Sequence, residues 1–270
     1  MKRQRPIVLL LCMLLACLFA GGCREPAGGP VIVDVAPTTV IARSYTVGRS
    51  VQDRPIECFV LGQGRDVTFI LAAIHGDEPA GTLLLQQLGR YLRKQPQLLD
   101  GRKVVLLPVA NPDGAAQNNR LNSRGVDLNR NFPGVNRIDS ELYGYSALSE
   151  PEARVIKRII KQYAPDRIVS IHQLTETGPE ALSSHLPRGC IDYDGPAKAV
   201  AEKMVSHCDL PIEKLGACPG SLGSYAGLKL GIPVITLELP VNAHVVDSDR
   251  LWESYGTALV AAIVYPASVM

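Results

Sequence analysis

The chain has 270 residues, of which 46% are apolar and 20% are charged, and its formal net charge is +2. A chain of this length and apolar content is sufficient for one α/β domain of roughly 200 to 250 residues with a single large core. Because the charge is nearly balanced and no stripe of Lys and Arg is present to follow a phosphate backbone, we expect no nucleic-acid partner.

The first 23 residues have the pattern of an export signal. Basic residues precede an apolar run from Ile7 to Ala20, which is short for a membrane span of about 20 residues and typical of a signal peptide. Small residues then precede Cys23, as in the lipobox of bacterial lipoproteins, although Leu usually occupies the position of Ala20. Lipidation at Cys17, an uncleaved anchor and a plain cleaved signal are the alternatives.

Residues 24–40 are rich in Pro, Gly and small side chains, which is typical of a flexible tether. We therefore predict an exported protein of the bacterial cell envelope. In this prediction Cys23 carries a lipid anchor in the membrane, and one folded domain over residues 41–270 faces the periplasm or the cell surface.

Within this domain, short apolar runs alternate with segments of helical period. The apolar runs predict strands near residue 57 and at 67–74, 103–110, 167–172 and 233–239. The helical segments are 82–95, 149–163, 195–208 and 248–265, and a capping-box pattern of Ser149 and Glu152 predicts the start of the second. This alternation predicts a three-layer α/β/α domain with a mixed, mostly parallel central sheet.

The cysteines of the domain do not form a C-x-x-C pair, so we expect no cysteine-based zinc site among Cys58, Cys190, Cys208 and Cys218. The last three are close enough in sequence to form a disulfide in an oxidising compartment. Burial as free thiols is the alternative.

Two predicted strands end in histidines, at the sheet edge where α/β proteins collect their functional groups. The run 67–74 leads into His75, after which Gly76 permits a sharp turn that lets Glu78 fold back towards the imidazole. This H-x-x-E pair is a weak signal alone, but a second strand ends in His172. Together they predict a His₂Glu zinc site with an open fourth position.

Rival histidines for the third ligand do not end a predicted buried strand; they are His185, His207 and His244. A zinc hydrolase also needs a base and a cation for the oxyanion. Glu238 is the candidate base, because it lies at the carboxyl end of an otherwise apolar strand, where an ionised carboxylate is costly unless it is paired or used.

The candidate cations lie in the Asn-rich stretch 111–134, which contains Arg120, Arg124 and Arg130. Guanidinium groups bind carboxylates through two parallel hydrogen bonds, and Asn amides add further donors and acceptors. The sequence therefore predicts an anionic group on the substrate.

The motifs HGDE, NPDG, GVDLNRNFP, SEPE, SIH and TLE occur in this order and resemble those of the M14-type zinc carboxypeptidases, from about residue 45 to the carboxyl terminus. Within that family, the spacing from NPDG to NRN and the segment PGSLGSYAG are most similar to the murein peptide amidases. Those enzymes cleave the γ-D-glutamyl–diaminopimelate bond of peptidoglycan peptides.

The resemblance implies one zinc ion per chain, with its three ligands at His75, Glu78 and His172. It makes Glu238 the general base and Arg120 the oxyanion donor, while Asn129 and Arg130 hold the terminal carboxylate of the substrate. Arg124 has no counterpart and is expected to face solvent. The substrate implied is a peptidoglycan-derived peptide with a free carboxylate.

Asp77 and Asp127 are candidates to accept hydrogen bonds from the ligand histidines. Tyr225 is left out of the catalytic set, because it lies too close in sequence to Glu238 to align with the mobile tyrosine of digestive relatives. Two other functions stay open. One is a carboxypeptidase or deacylase that acts on ordinary peptides or N-acyl amino acids, and the other is a non-catalytic lipoprotein that binds peptidoglycan.

Overall fold

The structure is a computed structural model that describes residues 42–175 and 188–266. The predicted signal 1–23 with Cys17 and Cys23, the tether 24–40 and His185 lie outside the described residues. In the described part, no helix combines the length and the apolar character needed to cross a membrane.

In the described ranges, seven strands form one mixed sheet in the order β1-β2-β4-β3-β5-β7-β6. The strands are β1 (Ala42–Arg49), β2 (Pro55–Gly62), β3 (Asp66–Ala72), β4 (Arg102–Leu107), β5 (Arg167–Gln173), β6 (Cys190–Asp194) and β7 (Val234–Leu239). The four central strands β4, β3, β5 and β7 are parallel, whereas β1, β2 and β6 are antiparallel to their neighbours. The predicted mixed sheet with a parallel core is confirmed.

Helices follow β3, β4, β6 and β7 in the chain. The α-helices are α1 (Ala80–Lys94), α2 (Pro112–Gln117), α3 (Pro151–Tyr163), α4 (Lys198–Val205) and α5 (Ser248–Ile263). Short 3-10 helices span Pro96–Leu99, Leu128–Arg130 and Val241–Val245, and a π-helix spans Gly223–Lys229. The predicted segment 195–208 is thus helical only in its middle, and α2 was not predicted.

Both faces of the sheet are buried. Alternate residues of β3 point to opposite faces: Ile70 and Ala72 join an apolar cluster with α1, α4 and α5, whereas Phe69 and Leu71 join a second cluster with α3 and the π-helix. A strand covered on both faces reads as a continuous apolar run, which is why β3 was visible in the sequence. The predicted three-layer arrangement is confirmed.

The predicted capping box of α3 is wrong. The N-cap residue of α3 is Glu150, and no side chain caps the helix. The Ser149 hydroxyl instead accepts a hydrogen bond from Asn131 Nδ2 at 2.9 Å. The Glu152 carboxylate is fully buried and accepts a hydrogen bond from a backbone amide in the turn after β1, at 3.1 Å. Tertiary contacts therefore use both side chains that the local pattern assigned to the cap.

The four cysteines of the described domain are free thiols. Cys58 and Cys190 are buried, and Cys208 and Cys218 are partly buried. Burial raises the pKa of the Cys58 thiol to about 11 and that of the Cys190 thiol to about 12. The free-thiol alternative is thus the one found in the structure, and both buried thiols are neutral at ordinary pH.

Candidate active site

The loop after β3 presents His75 and Glu78 at the carboxyl edge of the sheet. The backbone turns at Ala73, whose φ is 48°, rather than at the glycine. The sharp turn therefore does not depend on Gly76, contrary to the prediction from the sequence. Gly76 is needed instead because it packs closely against another segment. A Cβ atom there would overlap the backbone carbonyl carbon of Gly114 in α2. The glycine thus lets the loop lie directly against α2.

Three side chains converge beyond this turn. His75 Nδ1 lies 2.6 Å from Glu78 Oε1, and His172 Nδ1 lies 3.0 Å from Glu78 Oε2. One ligand atom from each residue can be chosen so that all lie within 4.8 Å of one another, and all three side chains are buried. The structure therefore brings the predicted His₂Glu set into one cluster.

Asp127 orients the first of these histidines. Its Oδ1 atom lies 3.1 Å from His75 Nε2. If this nitrogen carries the imidazole proton, the Nδ1 lone pair faces the Glu78 carboxylate, and two acceptors meet at 2.6 Å. Such a contact is unfavourable unless a proton or a metal ion is shared by the two atoms. Two imidazoles and a carboxylate are a donor set that zinc prefers, so the cluster fits a zinc ion.

The charges around His75 also favour a positive charge at its imidazole. Burial alone would lower the pKa of His75, but the Glu78 and Asp127 carboxylates outweigh burial and raise it from 6.5 to about 9. The neighbouring His75 and His172 likewise outweigh burial at Glu78 and hold its pKa well below the ordinary value. The carboxylates of the cluster thus strongly stabilise a positive charge placed between them.

Asp77 does not share the role of Asp127. Within the described residues it makes no hydrogen bond to either ligand histidine, and its Oδ1 atom is buried without a partner. Burial and the adjacent Glu78 carboxylate raise the pKa of Asp77. The prediction that Asp77 supports a histidine is therefore wrong.

Glu238 faces the same cavity. It stands opposite His172 in the register of β5 and β7, and side chains that are directly opposite in neighbouring strands share a face of the sheet. The cavity has a volume of about 270 Å³ and its lining includes all predicted catalytic, binding and ligand residues: His75, Glu78, Arg120, Asn129, Arg130, His172 and Glu238.

Arg120 reaches the ligand cluster from the Asn-rich stretch. Its Nε atom lies 3.2 Å from Asp127 Oδ2, and its Nη1 atom lies 3.6 Å from Glu78 Oε1. A guanidinium beside the cluster is suited to stabilise a negative charge that develops there. Arg124 lies elsewhere, half exposed and 3.5 Å from Glu150 Oε2, and does not line this cavity.

The 3-10 helix Leu128–Arg130 carries the predicted carboxylate-binding pair. Asp127 caps this helix, since its Oδ1 atom accepts a hydrogen bond from the Asn129 amide at 2.9 Å. Asn129 Oδ1 accepts from the Leu222 amide at 2.9 Å, and Arg130 Nη1 donates to the Asn129 carbonyl at 2.9 Å. Both side chains are thus held beside the cluster by neighbours of their own.

The rival groups have other positions. His244 Nδ1 lies 2.8 Å from the side-chain Nε2 of Gln173, and the backbone amide of Gln173 donates to Glu78 Oε2 at 3.2 Å. Among the described residues, Gln173 thus stands between His244 and the ligand cluster. His207 lies by a separate pocket near α4 and α5. Tyr225 is buried and stacks on Phe132, with ring centroids 5.9 Å apart.

The polar side chains that line the floor of the cavity are not indicated by any motif of the sequence. These are Ser170 on β5, Thr236 on β7, and Asp192 and Asp194 on β6. The strand β6 has the sequence CIDYD, in which apolar and polar residues alternate as in a half-buried strand. That alternation was the available signal for both the strand and its acidic face.

Comparison with known proteins gives consistent matches. The family model "Peptidase_M14: Zinc carboxypeptidase" matches residues 37–177. Murein peptide amidase A of Escherichia coli K12 is 31% identical over 227 residues, which cover 77% of this chain and 84% of that protein. Carboxypeptidase M of Mus musculus is 36% identical over 116 residues, which cover 34% of this chain and 26% of that protein.

Solved structures also match. The crystal structure of murein-tripeptide amidase from Escherichia coli O157 has a TM-score of 0.63 and 26% identity, and the match covers 83% of this chain and 93% of that one. Carboxypeptidase A from Helicoverpa armigera has a TM-score of 0.65 at 20% identity, covering 84% and 69%, and this second likeness bears on the fold alone.

Proposed function

The chain belongs to the M14 family of zinc carboxypeptidases, and on this premise we propose that it hydrolyses the γ-D-glutamyl–diaminopimelate amide bond of peptidoglycan peptides. The catalytic part of this proposal rests on one observation, the convergence of His75, Glu78 and His172 beside Glu238 in one cavity. The substrate is supported by the similarity to murein peptide amidase A, which extends over 84% of that protein.

In this proposal His75, Glu78 and His172 hold one zinc ion through two nitrogens and a carboxylate. Zinc, when bound, supplies Lewis acidity to the scissile carbonyl and the attacking water. Glu238 accepts a proton from that water as the oxygen attacks the carbonyl carbon. The same carboxyl group then passes the proton to the nitrogen as the C–N bond breaks, so that the products are a carboxylate and a free amine.

The remaining residues bind and orient. The Arg120 guanidinium donates hydrogen bonds to the oxyanion that forms from the carbonyl oxygen. Asn129 and Arg130 hold the free carboxylate of the residue that leaves as the amine, which fixes the scissile bond relative to Glu238. Each of these side chains lines the cavity that contains the ligand cluster.

The test is a comparison of wild type with Glu238→Gln on the peptide L-Ala-γ-D-Glu-diaminopimelate, with products identified by mass spectrometry. We expect wild type to release diaminopimelate. The variant should keep its zinc and lose at least about 100-fold in kcat, because the proton acceptor is gone. Glu253→Gln, an exposed residue on α5, is the control and should match wild type.

Unchanged activity of Glu238→Gln would show that another residue is the base. A second candidate function is supported by the similarity to carboxypeptidase M, which covers 34% of this chain. It is the removal of the last residue from ordinary peptides. Cleavage of hippuryl peptides without cleavage of the peptidoglycan peptide would favour this second function. Zinc binding without cleavage of either would favour the non-catalytic, peptidoglycan-binding alternative.

For the cellular location we propose export and lipidation at Cys23, with residues 24–40 as a tether to the domain. This proposal rests on the basic start, the apolar run and the small residues before Cys23 in the sequence. Labelling with palmitate should mark the wild-type protein and leave Cys23→Ser unlabelled. Labelling of Cys23→Ser that disappears in Cys17→Ser would place the lipid at Cys17.

A further inference from the structure

The cavity extends from the ligand cluster onto the face of the sheet in two parallel rows. The first row contains His172 and Glu238, which stand opposite each other in register. Two residues earlier on the same strands, Ser170 stands opposite Thr236, and Thr236 stands opposite Asp192. Because a strand rises about 3.3 Å per residue, this second row lies roughly 7 Å from the first.

Side chains separated by two residues in a strand share a face, so the second row faces the same cavity as the catalytic row. Ser170, Thr236 and Asp192 all line it. The row is polar throughout and ends in a carboxylate. An apolar side chain of a substrate would gain little there, because it would cover polar groups without hydrogen-bonding them.

The two aspartates of β6 differ in their partners. Asp194 Oδ1 lies 3.2 Å from Lys214 Nζ, so this carboxylate has a cationic neighbour. Asp192 is only 6% exposed, and its Oδ1 atom accepts a hydrogen bond from the Leu215 amide at 3.1 Å. In the described ranges, no basic side chain forms an ion pair with Asp192. A buried carboxylate is costly unless it is paired, which makes Asp192 the acidic group of the floor that a ligand can complement.

The charges around Asp192 are also consistent with a cationic ligand. Burial raises the pKa of its carboxyl group and the neighbouring Asp194 carboxylate raises it further, and these effects outweigh the lowering by backbone hydrogen bonds and by the half-exposed Lys214 ammonium. A cationic group in the cavity would counter both effects by stabilising the ionised form. A positive charge beside Asp192 would therefore stabilise its ionised carboxylate more than a neutral ligand would.

We infer that Asp192 is a specificity-determining residue that binds an ammonium group on the side chain of the amino acid released as the amine. This inference rests on the proposed function and extends it to the side chain of the leaving residue. In that function, Asn129 and Arg130 hold the carboxylate of the leaving residue and Glu238 faces its nitrogen. The side chain of the leaving residue then lies over the floor of the cavity.

The dimensions agree with an amino acid that has a second amino group at the far end of its side chain. In diaminopimelate the distal nitrogen is separated from the α carbon by a chain that spans about 6 Å when extended. The spacing between the catalytic row and the Asp192 row is roughly 7 Å, and an ion pair forms when nitrogen and oxygen approach within about 4 Å. A distal ammonium therefore reaches Asp192 while the amide remains at Glu238.

The test compares two substrates that differ in one group. The first is L-Ala-γ-D-Glu-diaminopimelate, and the second has 2-aminopimelate in place of diaminopimelate, so that hydrogen replaces the distal amino group. We expect wild type to favour the first substrate by about 10- to 100-fold in kcat/KM, mainly through KM. Asp192→Asn keeps an oxygen for the Leu215 amide and should lose this preference while retaining its rate on the second substrate.

Two further variants complete the test. Asp192→Glu keeps the charge and should retain part of the preference, which a merely structural role would not explain. Asp100→Asn removes an exposed carboxylate just before β4, at the opposite end of that strand from the active site, and should leave both substrates unaffected. Thermal melting of each variant checks that the fold is intact.

The outcomes separate the inference from the proposed function. Equal kcat/KM of wild type on both substrates, or equal losses on both in Asp192→Asn, would overturn the inference and leave the amidase proposal intact. If the zinc-loaded wild type cleaves neither substrate, the proposed function fails. Calorimetric binding of free diaminopimelate and 2-aminopimelate then still tests Asp192, because only the former should bind less tightly to Asp192→Asn.

Discussion

The carboxylate of Asp127 lies 3.1 Å from His75 Nε2, on the opposite side of the imidazole from Glu78. The same carboxylate lies 3.2 Å from Arg120 Nε and accepts a hydrogen bond from the Asn129 amide. One side chain thus fixes a metal-ligand candidate, the candidate oxyanion donor and the short helix that carries the candidate carboxylate-binding pair.

Replacement of Asp127 should therefore weaken metal binding. In Asp127→Asn the side-chain oxygen still accepts from His75, but the negative charge that makes the imidazole a better donor to zinc is lost. We expect zinc affinity to fall about 10- to 100-fold, measured by competition with a chelator of known affinity. Asp53→Asn, an exposed control after β1, should bind zinc as wild type does. An unchanged affinity in Asp127→Asn would contradict this role.

Zinc affinity should depend on pH through His75. The metal-free cluster holds a proton at this residue up to a pKa of about 9, and zinc must displace that proton. Below pH 9 each unit of acidification should weaken binding by about tenfold, and the dependence should flatten above pH 9. Zinc titrations at several pH values measure the slope. A flat profile between pH 7 and 8.5 would show that His75 is not protonated in the metal-free site.

The same raised pKa affects the stability of the metal-free protein in the opposite sense. A group with a pKa of 6.5 when unfolded and about 9 when folded stabilises the fold fully below pH 6.5. This contribution is lost as the pH rises from 6.5 through 9. Urea unfolding of the chelator-treated protein should therefore show lower stability at pH 9 than at pH 7, and His75→Gln should reduce the difference.

Glu78 supplies the negative charge of the cluster. In Glu78→Gln we expect zinc to lose most of its stabilising effect, because a neutral amide cannot offset the metal charge. For wild type, zinc at about 100 times its Kd should add about 2.7 kcal/mol to the free energy of unfolding. The measurement is the zinc-dependent shift in melting temperature. A shift in Glu78→Gln equal to that of wild type would exclude Glu78 as a ligand.

Gly76→Ala tests the contact between the His75 loop and α2. The added methyl group would overlap the backbone of Gly114, which cannot move away as a flexible side chain would. We expect a destabilisation of about 1 to 3 kcal/mol in urea unfolding, together with weaker zinc binding. Gly89→Ala is the matched control, since its Cβ atom would lie 3.5 Å from Leu106 Cδ1 within α1. There the helix should gain about 1 kcal/mol.

The central strands and the candidate site residues could both be predicted from the sequence, and for the same reason. Strands covered on both faces read as continuous apolar runs, so a polar residue at their end stands out, as His75, His172 and Glu238 do. The parallel direction of β3, β5 and β7 then brings these residues to one edge of the sheet.

The other features depended on contacts between distant segments. β1 and β6 lie at the two edges of the sheet and lack a continuous apolar run, so neither was predicted, and Asp192 was missed with β6. Glu152 was assigned to a helix cap that its burial against the turn after β1 prevents. The reason for Gly76 lies 38 residues away at Gly114, beyond the reach of any local pattern.

The separation of the two rows on the sheet face affects how the substrate preference of such a domain can change. His172 and Glu238 occupy one level of the pleat, and Thr236 and Asp192 occupy the next. A substitution in the second level alters the shape and charge offered to a side chain while the backbone positions of the first level stay as they are. New substrate preferences are thus accessible through single replacements on β6, without rebuilding the groups that break the bond.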